Sequence, residues 1–407
     1  MLLILIDFGM GLVFETAAAL TNIILIQKAP NERKTRMVRV RDDFNAGKDG
    51  LPAYVNTNAS VQNKLDGNSW VAYTETEYRL KRRVEEQGVQ LRKWDVKINR
   101  GILTGYNEAF IIDQAKRDEL VAADPKSAEI IRPILRGRDV RAWVPSWDNW
   151  YLIGTFPALK LDIDDYPAIR DYLGEIQERL EPKPRKHVGK WNGRKSGSYR
   201  WFETQDSIAY HADFDKPKII YPNMTNSLPF AYDRTEHWLT NQKCFIISGK
   251  SLGYLTAIFN SPLYRFCFKD VYPELMGNTY ELSKVFFEKV PIKKPDPATE
   301  WIFERLADCI IKAKRSEDHK MAGLFFQYLV NGLVYELYFG SAFKKAGIQL
   351  LTLLNDDNLP ELPEGKAGLK KLVQVFEHLH DKQHSIRIGL FKLDTVREVR
   401  IIEGKEK

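Results

Sequence analysis

An α+β fold is the architecture this sequence predicts, on three observations. Short β-branched or aromatic runs punctuated by Gly, Asn and Pro fill the middle of the chain, among them KPKIIYPNM and HWLTNQKCFIISG, and such runs read as strands of a mixed β-sheet domain. After Pro297 the pattern changes to apolar residues at helical spacing in WIFERLADCIIKAKR and LFFQYLVNGLVYELYF, where Phe326, Leu329, Val330, Leu333, Val334 and Leu337 share a stripe. The first 28 residues hold two further apolar runs, LLILID and TNIILIQK. These read as buried strands of the kind found in a parallel α/β sheet, yet no series of βαβ units follows, so they look like the last piece of a larger sheet.

The elements follow in order. Residues 1–45 hold the strand remnant and a polar connection, and residues 70–298 form the mixed-sheet domain. Residues 299–407 form a helical region closed by a terminal strand, EVRIIEG. Within the central domain, ETEYRLKRRVEEQG is a charged helix and WDVKINRGILTGYNEAFIID a strand, a glycine turn and a strand. The segment SAEIIRPILRGRDVRAW reads as a short helix ended by Gly137, ahead of a strand bearing Trp150, Tyr151 and Ile153. Residues 167–181 form a helix stopped by Pro182 and Pro184. In LGYLTAIFNSPLYRF a helix carrying Leu255, Ile258 and Phe259 is halted by Asn260-Ser261-Pro262, and a turn at Gly277-Asn278-Thr279 leads to the exit VPIKKP.

Charge tilts the partner towards polyanions: 61 Lys+Arg against 54 Asp+Glu give a net charge of +7. The three cysteines are far apart and fit a reducing, cytoplasmic setting rather than a disulfide framework. The N-terminal run lacks a basic leader and is interrupted by Asp7, Glu15 and Asn22, so no membrane span is expected.

Catalytic motifs are weak. DFGMG at 7–11 has the strand-Asp-x-Gly-x-Gly form with which S-adenosylmethionine sites begin, but β-branched NIILI follows too soon for the expected helix. No Asn/Asp/Ser-Pro-Pro-aromatic loop for holding a flipped base occurs, and Ser261-Pro262-Leu263-Tyr264 lacks the second proline. Asp162, Asp164 and Asp165 imitate a nuclease cluster but precede a helix start, where Asp serves as a cap. His380 and His384 have i, i+4 spacing without an evident third ligand, and a solvated helix face is the plainer reading. No metal or cofactor is therefore assigned to the chain.

The strongest electrostatic feature is KPRKHVGKWNGRKSGSYRW. Lys183, Arg185, Lys186, Lys190, Arg194, Lys195 and Arg200 are placed to neutralise phosphates, and Trp191, Tyr199 and Trp201 to pack on sugars or bases. Gly189, Gly193 and Gly197 keep such an arm thin. The alternative is a solvated loop whose aromatics tuck against the body.

Three segments together resemble one family. NRGILTGYNEAFIID, with Gly101, Thr104, Gly105 and Asn107, resembles the opening signature of the TaqI-like C-terminal specificity domain of Type IIG restriction-modification methyltransferases. IIRPILRGRDVRAW, with Arg136, Gly137 and Arg138, resembles the next landmark. The stretch from KPKIIYPNM to VPIKKP, with Asn260, Ser261, Pro262, Gly277 and Thr279, completes the pattern over about residues 90–340. The resemblance implies a target recognition module for double-stranded DNA that directs N6-adenine methylation, and possible cleavage, by a catalytic domain using S-adenosylmethionine. It also implies that the first strands are the close of a methyltransferase sheet, with catalysis on a segment or partner chain other than this one. The alternatives are a methyltransferase that uses DFGMG itself, and a non-catalytic remnant or protein-binding scaffold.

Overall fold

The computed structural model describes residues 1–9, 21–30, 32, 34–40, 44, 50–62, 72–275 and 279–406. Its centre is an antiparallel sheet in the order Ala231–Asp233, Lys218–Pro222, Cys244–Gly249 and Val96–Arg100. Successive side chains of a strand point to opposite faces, and here both faces are apolar. Ile219, Tyr221, Phe245 and Ile247 enter one core, while Ile220, Cys244 and Ile246 enter a second. The sheet is thus a wall between two cores.

The second core is closed by a mixed sheet in the order Leu239–Thr240, Ile131–Leu135, Trp150–Ile153 and Ile111–Asp113. The helix Gln114–Ala123 and the helix Pro167–Gly174 accompany it. Lys218 and Asp233, both fully buried, face each other across two neighbouring strands of the central sheet at 2.6 Å. Asp233 also accepts the amides of Glu236, His237 and Trp238 at 3.0, 3.1 and 2.9 Å. A buried pair so saturated is tolerable, whereas an unpaired one would be strongly destabilising.

The first core runs without interruption into the C-terminal helices. Every residue of the helix Leu252–Phe259 is buried, and it packs on the helix Pro297–Lys314. Contact is so close at Gly253 that a Cβ would stand 1.9 Å from Glu304 Oε2. The 26-residue helix Lys320–Lys345, broken at Phe339, the helix Leu350–Asp357 and the helix Gly365–His380 complete the layer. An N-terminal sheet in the order Asn22–Ile26, Leu2–Asp7, Thr35–Arg39 and Ser60–Gln62 has its own small core around Ile6, Val38, Val40 and Val55. The α+β class holds, with several small sheets and a helical C-terminal region.

Local expectations fail where packing outweighs composition. The terminal run is the helix Arg397–Ile402, not a strand, because Val399, Ile401 and Ile402 turn onto the helical core. Ile131–Leu135 is a strand, not a helix, since it lies between two sheet partners. The 167–181 helix divides into Pro167–Gly174 and Gln177–Leu180. Asn22–Ile26 is a strand but not a buried one, with Ile24 and Ile26 51% and 70% exposed. Among the described residues no helix is long and apolar enough to cross a membrane.

Candidate nucleic-acid interface

The 183–201 segment is held against the body rather than projecting as a thin arm. Arg194 is buried, and its guanidinium donates to five backbone carbonyls, those of Leu180, Thr104, Glu203, Arg200 and Trp201, at 2.7–3.2 Å. It lies between the rings of Phe110 and Tyr199, with centroids at 5.3 and 4.4 Å. Burial pushes its pKa down to about 10, so it stays charged at neutral pH. Tyr199 is buried too, its hydroxyl bonded to Lys195 O. Neither residue is available to a phosphate or a base.

The other arm residues divide. Arg200 Nε and Nη2 donate to Glu203 Oε1 at 3.0 and 2.7 Å, and Trp191 Nε1 donates to Glu181 O at 3.2 Å. Trp201 packs half-buried on the second core, and Lys183 Nζ donates to Gly189 O at 3.2 Å. Arg185, Lys186, Lys190 and Lys195 remain exposed. Gly193 serves close packing, since its Cβ would fall 2.3 Å from Glu181 O. Composition marked this segment as basic and aromatic but could not distinguish an inward cation from an outward one.

The three signatures converge elsewhere. Gly101 lies against the turn Asn241–Lys243, where a Cβ would stand 2.0 Å from Asn241 O, and Gly137 lies against the same turn at 3.1 Å from Lys243 O. Thr104 Oγ1 donates to Asn107 Oδ1 at 2.7 Å, and Gly105 takes φ +79°. The turn is tied further by Asn223 N–H to Lys243 O at 2.7 Å and by Asn241 N–H to Leu135 O at 3.0 Å. Asn260 accepts Phe230 N–H at 3.1 Å and donates to Phe230 O at 2.8 Å, which fixes the end of the 223–230 loop. Ser261 caps the helix Pro262–Phe268, with Pro262 at its first turn. Thr279 begins the strand Thr279–Glu281, which pairs with Met224–Thr225; Gly277 lies outside the described residues.

These supports frame a groove of about 660 Å³. Arg136, Arg138, Arg141 and Lys243 line it with Met224, Thr225, Asn226, Ser227, Asn241 and Thr279, and among the described residues no carboxylate lines it. Arg136 is neutralised by Asp139 and Asp148 at 2.9 and 2.8 Å. Arg141 holds the loop through Arg138 O and Val140 O at 2.6 and 2.9 Å. Arg138 and Lys243 extend into solvent, as do Asn226, Ser227 and Met224. A smaller recess of about 190 Å³ beside it includes Arg141, Ser227 and Arg265. Cations at the rim with amides, hydroxyls and a thioether between them suit a ligand with an anionic backbone and polar edges. Sequence reasoning named Arg136, Arg138 and Thr279 only as scaffold and missed Arg141, Met224, Asn226, Ser227 and Lys243.

Phe8 and Gly9, in the described half of DFGMG, line a recess of about 490 Å³ together with Val38, Arg39 and Tyr54. Asp7 Oδ1 accepts Gly9 N–H at 2.8 Å, and the Arg39 guanidinium occupies the space above Gly9, 3.0 Å from where a Cβ would be. Met10 and Gly11 lie outside the described residues.

Residues 132–292 match the family described as the TaqI-like C-terminal specificity domain. This segment is similar to TaqI-like specificity domains. The match includes the Arg136–Arg138 landmark, the groove and Asn260–Pro262, while the Gly101–Asn107 signature lies just before it. The chain is 22% identical over 246 residues to the Type II methyltransferase M.PaeR7I of Pseudomonas aeruginosa, a stretch covering 60% of this chain and 40% of that protein. Two solved structures are similar at low identity. The Type IIL restriction-modification enzyme MmeI, solved in complex with DNA, shows 11% identity and a TM-score of 0.44 over 98% of this chain and 46% of its own. The type IIG restriction endonuclease BpuSI shows 12% identity and a TM-score of 0.39 over 82% and 44%. The chain thus spans less than half the length of each relative.

Proposed function

We propose that the specificity domain selects a target sequence on double-stranded DNA for a restriction-modification system, reading it through the Arg138–Lys243 groove. The observation that carries this reading is convergence: Gly101, Gly137, Asn260 and Thr279 all support the two loops that line one acid-free, cation-rimmed groove. Arg138, Lys243 and the exposed arm cations Arg185, Lys186, Lys190 and Lys195 supply phosphate contacts that set register. Asn226, Ser227 and Met224 meet base edges, where amide and hydroxyl groups pair with donors and acceptors and an apolar side chain meets a thymine methyl.

The reaction served is N6-adenine methylation, with cleavage in enzymes that carry a nuclease. In this reading the S-adenosylmethionine-dependent catalytic domain lies outside these 407 residues, on a longer chain or a partner chain, and the first strands continue its sheet. The similarity to a Type II methyltransferase over 40% of its length supports that division. A cytoplasmic setting follows from such a role.

Fluorescence anisotropy with a labelled duplex, titrated with salt, tests the proposal. Binding should weaken linearly on a log–log scale, and Arg138→Ala and Lys243→Ala should each reduce the slope by about 1. A flat salt response in the wild type, or slopes unchanged in both variants, would reject the groove as the interface.

A further inference from the structure

Three helices of the C-terminal region meet at a cluster that the groove and the specificity domain do not use. Asp357 ends the helix Leu350–Asp357, His378 lies in the last turn of the helix Gly365–His380, and His384 caps the helix Ser385–Phe391. His378 Nε2 stands 3.4 Å from Asp357 Oδ1, and His384 Nε2 stands 3.4 Å from Asp357 Oδ2. One ligand atom from each residue lies within 4.8 Å of the others. The pairing read from sequence, His380 with His384, does not form. The helix ends at His380, whose ring stacks on Phe376 at 4.9 Å, and His384 lies beyond that end.

We propose that Asp357, His378 and His384 form a three-ligand site for a divalent transition-metal ion of the zinc class. Tetrahedral zinc with ligand bonds of about 2.0–2.2 Å sets neighbouring donors roughly 3.4 Å apart, and ligand atoms already within 4.8 Å of one another reach that spacing by side-chain rotation. Two imidazoles and one carboxylate select zinc, nickel or copper over magnesium or calcium. Asp357 Oδ2 is buried and makes no hydrogen bond among the described residues, its ion-pair contact being His384 Nε2 at 3.4 Å, so a lone pair faces the imidazole that would share the ion. The His378 side chain is 62% exposed against 16% for His384, which leaves one side open for ion entry and a fourth, water ligand.

One proton must move for the site to load. His384 Nδ1 accepts Ile386 N–H at 3.2 Å, so the neutral ring carries its proton on Nε2. Metal binding at Nε2 moves that proton to Nδ1 through solvent, which removes the acceptor of the Ile386 amide. Loading therefore exchanges one helix cap for a bond that ties three helices, and its role is to hold this corner of the core together.

The test uses the full chain stripped with chelator and titrated with ZnCl₂, with melting temperature and stoichiometry as readouts. One bound equivalent and a melting temperature raised by several degrees are expected. Cobalt(II) should give the intense visible bands of a four-coordinate site. His378→Ala, at an exposed position, and His384→Asn, which keeps a cap acceptor, should each weaken binding at least tenfold. No bound equivalent in the wild type, or unchanged affinity in both variants, would overturn the site.

Discussion

At the residue scale, Arg194 and Arg138 have the same side chain and opposite tasks. Arg194 spends its hydrogen-bonding capacity on five carbonyls inside the fold, so Arg194→Met should lower stability by about 3–5 kcal/mol by orphaning buried acceptors. Thermal unfolding would show this, with duplex affinity of the remaining folded fraction unchanged. Lys186→Ala, by contrast, should leave the melting temperature unmoved and weaken duplex binding modestly, because Lys186 is exposed. Gly101→Ala drives a methyl onto Asn241 O and should cost about 1–3 kcal/mol. The sequence showed that Gly101, Gly137 and Asn260 matter as a pattern. It did not show that they matter by gripping the Asn241–Lys243 and 223–230 loops, because those contacts join residues 30 positions apart for Asn260 and over a hundred apart for the two glycines.

At the scale of elements, the strands Lys218–Pro222 and Cys244–Gly249 were legible because both faces are apolar and their runs are continuous. The terminal helix Arg397–Ile402 was not, since a short β-branched run has no length to display a helical period and its packing on the core decides. That Arg194 and Tyr199 turn inward was hidden for a related reason: their anchors are backbone carbonyls, which no sequence pattern displays. One helix junction carries a pH signature. Glu336, in the helix Lys320–Lys345, accepts Leu351 N–H at 2.9 Å at the start of the helix Leu350–Asp357. Burial pushes its pKa up to about 7, against the lowering effect of the Leu351 and Leu350 amides. The folded state therefore holds a proton that the unfolded state releases between about pH 4.5 and 7, so this group's contribution to stability falls as pH rises through that window. The melting temperature of Glu336→Gln should lack that component of the wild-type decline, and an identical pH profile would contradict the assignment.

For the whole molecule, the central sheet with a core on each side explains how one recognition surface stays rigid. The loops at Arg138, Asn226 and Lys243 spring from sheets whose other ends are buried, and the C-terminal helices share the first core rather than hanging free. The resemblance to a family was legible as a pattern, while the groove proposed for recognition became visible only when distant segments were brought together. The most direct test of the central claim is selection of duplexes from a randomised pool by the full chain, followed by sequencing. A defined motif should be enriched by the wild type, with tolerance gained at one or more positions in Asn226→Ala and general weakening in an Arg138→Ala, Lys243→Ala double variant. No enrichment by the wild type, or the same motif at the same affinity in every groove variant, would contradict recognition through this groove.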